Sequence, residues 1–286
     1  MSNKFPTTNE EIKNVETEKV AMELFEENRP QSTEKIVCYS KESPESGNTE
    51  NPITYTLLQK FLAELSGTSL LMFGTVGAPL FCEGNIVAAG LTSGFTITAI
   101  IHMFTKISSA HFNPSVSLSC YFKKYITLKE LFVYILAQII GAFVGCVLIA
   151  LCRKGKFDRL GATKIQPYLI GVDNGTKIDA WCYISALICE IICTFIIVTY
   201  MLSINEKNNN LGTSLGLTFG VMIAMLVMGG GNISASSFNP ARSLAPAILQ
   251  GIVGGDIEPL KEIWIYIIGP LGGGVLAVVY WKIFEI

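Results

Sequence analysis

A nine-residue segment of this chain occurs twice, 126 residues apart, and this repeat constrains the fold more than any other feature. Residues 111–119 read HFNPSVSLS, and residues 237–245 read SFNPARSLA. Glu64 and Glu190 are separated by the same interval, and so are Gly94 and Gly220. A repeat of this length predicts that the chain folds into two structurally similar halves.

The composition predicts an integral membrane protein. Half of the residues are hydrophobic and only 15% are charged, a balance that ordinary soluble domains do not show. Each predicted span is close to the ~20 residues that cross a bilayer as a helix. The spans are residues 57–80, 86–104, 128–151, 180–203, 211–228 and 263–283. Six spans place both termini on the same side of the membrane.

The two Asn-Pro segments, residues 113–122 and 239–249, are too short to cross the membrane alone. Asn is among the best helix N-caps and Pro is favoured at the first helical position, so each segment is predicted to begin a short helix. Irregular backbone at membrane depth is tolerated only next to protein or water, which predicts two re-entrant half-helices. Three spans and one half-helix per copy invert the second copy, giving repeats 57–152 and 180–284.

The predicted half-helices bring two N-termini together, each equivalent to about half a positive charge. The asparagine side chains present NH2 donors to a water molecule, which must then offer its oxygen to both. This orientation and the positive field favour the passage of water over that of protons and other ions. The candidate pore residues are Asn113, Pro114, Ser115, Asn239, Pro240 and Ala241.

The doubled motif and its matched glutamates resemble those of the major intrinsic proteins, the aquaporin family, over roughly residues 57–284. The residues that carry the resemblance are Glu64, Glu190, Gly94, Gly220, His111, Gln138, Pro270 and the Asn-Pro-Ala-Arg segment at 239–242. The resemblance implies an all-α, right-handed bundle of six tilted helices with two half-helices. It also implies one pore per subunit, a homotetramer and cytoplasmic termini.

Two departures from the family pattern affect which solutes the channel is expected to pass. Ser115 replaces the usual Ala of the first motif, and Ser243 stands where glycerol-transporting members carry Asp. By the family resemblance, the selectivity filter falls on Ser93, Val227, Ser236 and Arg242. Water-selective members have a large aromatic residue and a His at the first two positions. The pattern implies a wider filter that passes water and also urea, ammonia or metalloid acids, with glycerol less favoured.

The two glutamates admit two interpretations, because carboxylates inside a membrane usually mark function. Glu64 and Glu190 accept hydrogen bonds from the re-entrant loops, as the resemblance implies, or they couple solute movement to ions in a secondary transporter. A low-permeability junctional or structural membrane protein is a third alternative. His111 is a candidate for a pH-sensitive mouth, since imidazoles titrate near neutrality, and packing at the helix entry is the alternative.

Residues 1–52 differ from the rest, with eleven acidic and six basic side chains and no sustained apolar period. They are predicted to form a disordered hydrophilic tail ahead of a channel domain at residues 53–286. Asn174-Gly175-Thr176 is a candidate glycosylation site. The predicted location is the plasma membrane or a vacuolar membrane.

Enzymatic, metal and cofactor chemistry is not expected from this sequence. Gly141-x-x-x-Gly145 and the glycines at residues 272–274 suit close helix contacts rather than a nucleotide-binding loop, because no strand precedes them. The expected partners are water, small neutral solutes, bilayer lipid and other copies of the chain, without nucleic acid.

Overall fold

The computed structural model describes residues 54–81, 84–158, 160–166, 178–204 and 215–284. Within these ranges the chain forms six long α-helices and two short ones. They are α1 (Leu57–Phe81), α2 (Ile86–Ser108), α3 (Pro114–Phe122), α4 (Leu128–Cys152), α5 (Ala180–Ile204), α6 (Leu215–Ser234), α7 (Pro240–Ile252) and α8 (Glu258–Trp281). A single 3-10 turn, Lys282–Phe284, follows α8.

The long helices match the predicted spans in number and order. Among the described residues, α2, α4, α5, α6 and α8 are long and apolar enough to cross a membrane. Helix α1 has 25 residues, or about 37 Å of helix, and carries Lys60 and Glu64 in its first half. The long helices other than α8 end past the predicted spans, and α8 begins before its own, because hydropathy does not register polar helical turns such as the Asn232–Ser234 end of α6.

The helices pack as two copies of one arrangement. Helix α1 lies against α2 and α4, and α5 lies against α6 and α8 in the same way. The copies meet where α2 packs on α6, and each short helix also packs on the last helix of the other copy, α3 on α8 and α7 on α4. The predicted all-α fold with an internal inverted repeat is therefore confirmed.

Glycines permit the closest of these contacts. A Cβ built on Gly94 of α2 would lie 2.5 Å from the Gly220 carbonyl oxygen of α6, so the two helices cross at these matched positions. A Cβ on Gly145 would lie 2.6 Å from the Ser69 carbonyl oxygen of α1, and one on Gly273 of α8 would meet the Ile191 carbonyl of α5. The glycine segments predicted to mediate close helix contact do so.

Candidate pore

The two Asn-Pro motifs begin α3 and α7. Asn113 has an extended backbone (φ −153°, ψ 122°), and its Oδ1 accepts a hydrogen bond from Ser115 N at 2.9 Å. Asn239 has the same conformation (φ −148°, ψ 111°) and accepts from Ala241 N at 3.0 Å. Each amide oxygen therefore satisfies a backbone donor that the first helical turn leaves unpaired.

The asparagine nitrogens cross between the two repeats. Asn113 Nδ2 donates to the Phe238 carbonyl oxygen at 2.8 Å, and Asn239 Nδ2 donates to the Phe112 carbonyl oxygen at 2.8 Å. An amide nitrogen carries two N–H groups. Within the described part of the chain, these bonds occupy one N–H of each asparagine, and the second is available to the cavity that both residues line.

The loops before the motifs have backbone torsions that side chains rarely adopt. Three matched non-glycine residues in each loop have a positive φ between 50° and 65°. They are Ser109, Ala110 and Phe112 in the first repeat, and Ala235, Ser236 and Phe238 in the second. Such left-handed residues cost roughly 1–2 kcal/mol each, so the loops need strong contacts elsewhere to hold them.

Glu64 supplies those contacts in the first repeat. Its Oε1 accepts from Ser108 Oγ at 2.6 Å and from His111 N at 2.9 Å. Its Oε2 accepts from Phe112 N at 2.7 Å and from Gln138 Nε2 at 2.8 Å. One fully buried carboxylate thus receives two backbone and two side-chain hydrogen bonds.

Glu190 makes contacts in the second repeat that match three of these four. It accepts from Ser234 Oγ at 2.7 Å, Ser237 N at 2.9 Å and Phe238 N at 2.7 Å. The serine donors Ser108 and Ser234 also lie 126 residues apart. The repeat could therefore have predicted them, but these serines were not among the residues compared around the Asn-Pro motifs.

A cavity of about 290 Å³ runs between the repeats. Its wall contains seven of the residues singled out in the sequence: Ser93, His111, Asn113, Val227, Ser236, Asn239 and Arg242. Apolar side chains, including Ile97, Val116 and Phe219, form much of the remaining wall. Cavity walls with a few convergent polar groups on an apolar surface are typical of sites for small molecules.

Four different elements bring the four predicted filter residues to this cavity. Ser93 comes from α2, Val227 from α6, Ser236 from the second re-entrant loop and Arg242 from α7. Arg242 Nη1 donates to the Gly161 carbonyl oxygen at 3.1 Å. This acceptor was not predicted, because a backbone carbonyl leaves no signal in residue type.

His111 lies in the cavity wall on the side of the first motif. Its Nδ1 is 3.1 Å from Ser117 Oγ, and its ring meets the Tyr134 ring edge-on with centroids 5.0 Å apart. Gln138 Nε2 also donates to Ser117 Oγ, at 2.9 Å. The imidazole is thus packed between α3 and α4 and is only 5% exposed.

Two predicted features cannot be placed. The N-terminal tail and the glycosylation candidate Asn174 lie outside the described residues. Among the residues that the structure does describe, no group of three or more His, Cys, Asp or Glu side chains has the geometry to hold a metal ion.

Comparison with known proteins agrees with this architecture. The family model described as "Major intrinsic protein" matches residues 53–281, and the chain belongs to that family of membrane channels. It is 33% identical to "Glycerol uptake facilitator protein-like 6" of Lactiplantibacillus plantarum, over 77% of this chain and 95% of that one. It is 29% identical to "Aquaporin TIP2-3" of Arabidopsis thaliana, over 84% of this chain and 93% of that one.

A solved structure has the same fold. The X-ray structure of the aquaglyceroporin from Plasmodium falciparum superimposes with a TM-score of 0.70, covering 79% of this chain and 96% of that chain at 24% identity. The protein is therefore a multi-pass transmembrane channel with the aquaporin fold.

Proposed function

We propose that this chain is a passive channel for water and small neutral solutes that excludes protons and ions. The observation that carries the proposal is the convergence of Asn113 and Asn239 on one cavity, each at the N-terminus of a short helix. Both helix termini add positive potential at the same place, which opposes a cation. The crossed hydrogen bonds to Phe112 and Phe238 hold the two amides in position.

Exclusion of protons follows from the donor geometry. A water molecule between the asparagines accepts hydrogen bonds from the free N–H of each, which uses both of its lone pairs. It then cannot accept a proton from the next water in the file. Arg242 adds a fixed positive charge at the filter, so a hydronium ion meets repulsion there as well.

The filter is proposed to admit more than water. Ser93, Val227 and Ser236 have small side chains, and only Arg242 is bulky. A neutral solute such as urea can accept hydrogen bonds from the guanidinium while it contacts the apolar wall. A relative bears the name of a glycerol uptake facilitator, so glycerol belongs in the solute panel beside urea, ammonia and metalloid acids.

Osmotic swelling of proteoliposomes tests the channel proposal. The expected result is a rise in water permeability that scales with protein, together with no ionic current in planar bilayers. A conductance proportional to protein amount would contradict the proposal. Solute flux that requires a proton or sodium gradient would favour a secondary transporter, and negligible flux would favour a structural role.

A filter variant tests the width. Replacing Ser93 with Phe and Val227 with His narrows the opening and adds a polar contact, so urea flux should fall more than water flux. The measurement is the urea-to-water permeability ratio at equal protein. The matched control is Leu91→Phe, which adds an aromatic ring on the exposed face of α2. Ser69→Phe does not serve as a control, because Ser69 is buried and its Oγ donates to the Gly141 carbonyl oxygen. An unmodified protein that passes water but excludes every larger solute would refute the wide filter.

The assembly and location are proposed from the family. We infer a homotetramer with one pore in each subunit and cytoplasmic termini, in the plasma membrane or a vacuolar membrane. Large apolar side chains such as Phe95, Phe132 and Trp181 are exposed on the long helices, which suits lipid or neighbouring subunits. The particle mass in detergent tests the tetramer.

A further inference from the structure

Residues 160–166, here called the strap, contact Arg242 of the cavity wall and contribute Gln166 to that wall. The Gly161 carbonyl oxygen accepts from Arg242 Nη1 at 3.1 Å. Thr163 Oγ1 shares a 2.7 Å hydrogen bond with Ser243 Oγ, on the residue that follows the arginine. The strap therefore contacts the charged residue of the filter and its neighbour in α7.

One carboxylate holds two points of the strap. Asp256 Oδ2 accepts from Lys164 Nζ and from Gln250 Nε2, each at 2.8 Å. Gln250 Oε1 in turn accepts from Leu160 N at 3.0 Å. Asp256 is thus connected directly to residue 164 and through one side chain to residue 160, on either side of Gly161.

The contacts of Asp256 with Lys164 and Gln250, here called the clamp, involve a part of the second repeat that is longer than its counterpart in the first. Helix α7 has 13 residues where α3 has 9, and Gln250 lies in the added turn. Asp256 follows in the connection to α8. The same connection packs on the chain just before the strap, since a Cβ on Gly254 would lie 2.8 Å from the Phe157 carbonyl oxygen.

The Asp256 carboxylate is charged at every pH at which flux is normally measured. The hydrogen bonds from Lys164 and Gln250 lower the pKa of Asp256 to about 2. A carboxyl whose pKa is lowered by folding stabilises the fold above its ordinary pKa and loses that effect only as the pH falls through the lowered value. The contact therefore persists from neutral pH down to mildly acidic pH.

We propose that Asp256 is a positioning residue for the selectivity filter. Through Lys164 and Gln250 it holds the strap so that the Gly161 carbonyl keeps the Arg242 guanidinium against the cavity wall. This inference rests on the proposed function, because it requires that solutes pass Arg242. The other filter side chains are small, so a guanidinium that loses its acceptor moves into the lumen and narrows it.

The experiment compares two ion pairs on the same side of the molecule. Asp256→Ala and Lys164→Met break the clamp, whereas Glu258→Ala and Lys261→Met break a pair within α8 whose nitrogen and oxygen are 2.6 Å apart. In proteoliposomes, both clamp variants should lower the urea-to-water permeability ratio by roughly two- to fivefold, the size that one half-exposed ion pair supports. Both control variants should keep the parent ratio.

A second comparison shows whether the effect acts through the arginine. Adding Asp256→Ala to Arg242→Ala should leave the ratio of the single Arg242→Ala variant unchanged, because no guanidinium remains to be positioned. A change in the permeability ratio when Asp256→Ala is added to Arg242→Ala would overturn this inference and leave the proposed function standing. Clamp variants whose permeability ratio is unchanged or raised would do the same. A parent protein that passes no urea would overturn the proposed solute range as well.

Discussion

At the scale of single residues, matched positions in the two repeats carry different chemistry. His111 and Ser237 are equivalent by the 126-residue offset, and both line the cavity. Each pairs with a serine of its own half-helix, His111 Nδ1 with Ser117 Oγ and Ser237 Oγ with Ser243 Oγ. At these matched positions the first repeat therefore has an imidazole ring where the second has a hydroxyl group.

The sequence prediction that His111 forms a pH-sensitive mouth stays a prediction. Its Nδ1 is 3.1 Å from Ser117 Oγ, and its ring packs edge-on against Tyr134. The test is water permeability as a function of pH, measured for the parent protein and for His111→Asn. A response that the parent shows and the variant lacks would support the prediction. A flat profile for the parent, or the same response in the variant, would show that His111 serves packing only.

At the scale of elements, the re-entrant loops depend on two buried carboxylates. Each loop has three left-handed residues and no regular backbone pairing, and a glutamate from the first long helix of its repeat accepts its backbone donors. Helix propensity and hydropathy could not reveal this arrangement, since the donors are peptide groups common to every residue. The visible signs were the equal spacing of each glutamate and of each serine donor from its motif.

Replacing either glutamate should therefore impair folding. Glu64→Ala and Glu190→Ala leave buried donors without acceptors, at about 1 to 3 kcal/mol each, so the yield of folded protein should drop sharply. Glu258→Ala is the control, because it breaks an exposed 2.6 Å ion pair with Lys261, a kind of pair that contributes little to stability. Size-exclusion chromatography measures the yield. If the glutamate variants fold with normal yield but lose transport that depends on an ion gradient, the chain would instead be a secondary transporter.

At the scale of the whole molecule, the family match begins at residue 53, where the predicted tail ends. The channel domain contains both repeats and every residue assigned to the cavity. The segment before it is predicted from its composition to have no packed core of its own. The functional unit is therefore proposed to be residues 53–286.

Removal of the tail tests this division. A chain that begins at Asn51 should fold and should show the same water permeability per molecule as the full chain, because every described residue of the cavity wall lies beyond it. Stopped-flow swelling at equal reconstituted amounts is the measurement. A large change in flux per molecule would show that the tail controls the channel.

The sequence by itself determined the spans, the two half-helices and the doubling, because hydropathy and Asn-Pro capping act over neighbouring residues. Through the family resemblance it also predicted that Ser93, Val227, Ser236 and Arg242 form the filter, and these four residues line one cavity. Only the tertiary structure decided what these residues contact. The crossed bonds between Asn113 and the Phe238 carbonyl, and the support of Arg242 by Gly161, join residues far apart in the chain. They use backbone oxygens that every residue possesses, so residue type could not predict them.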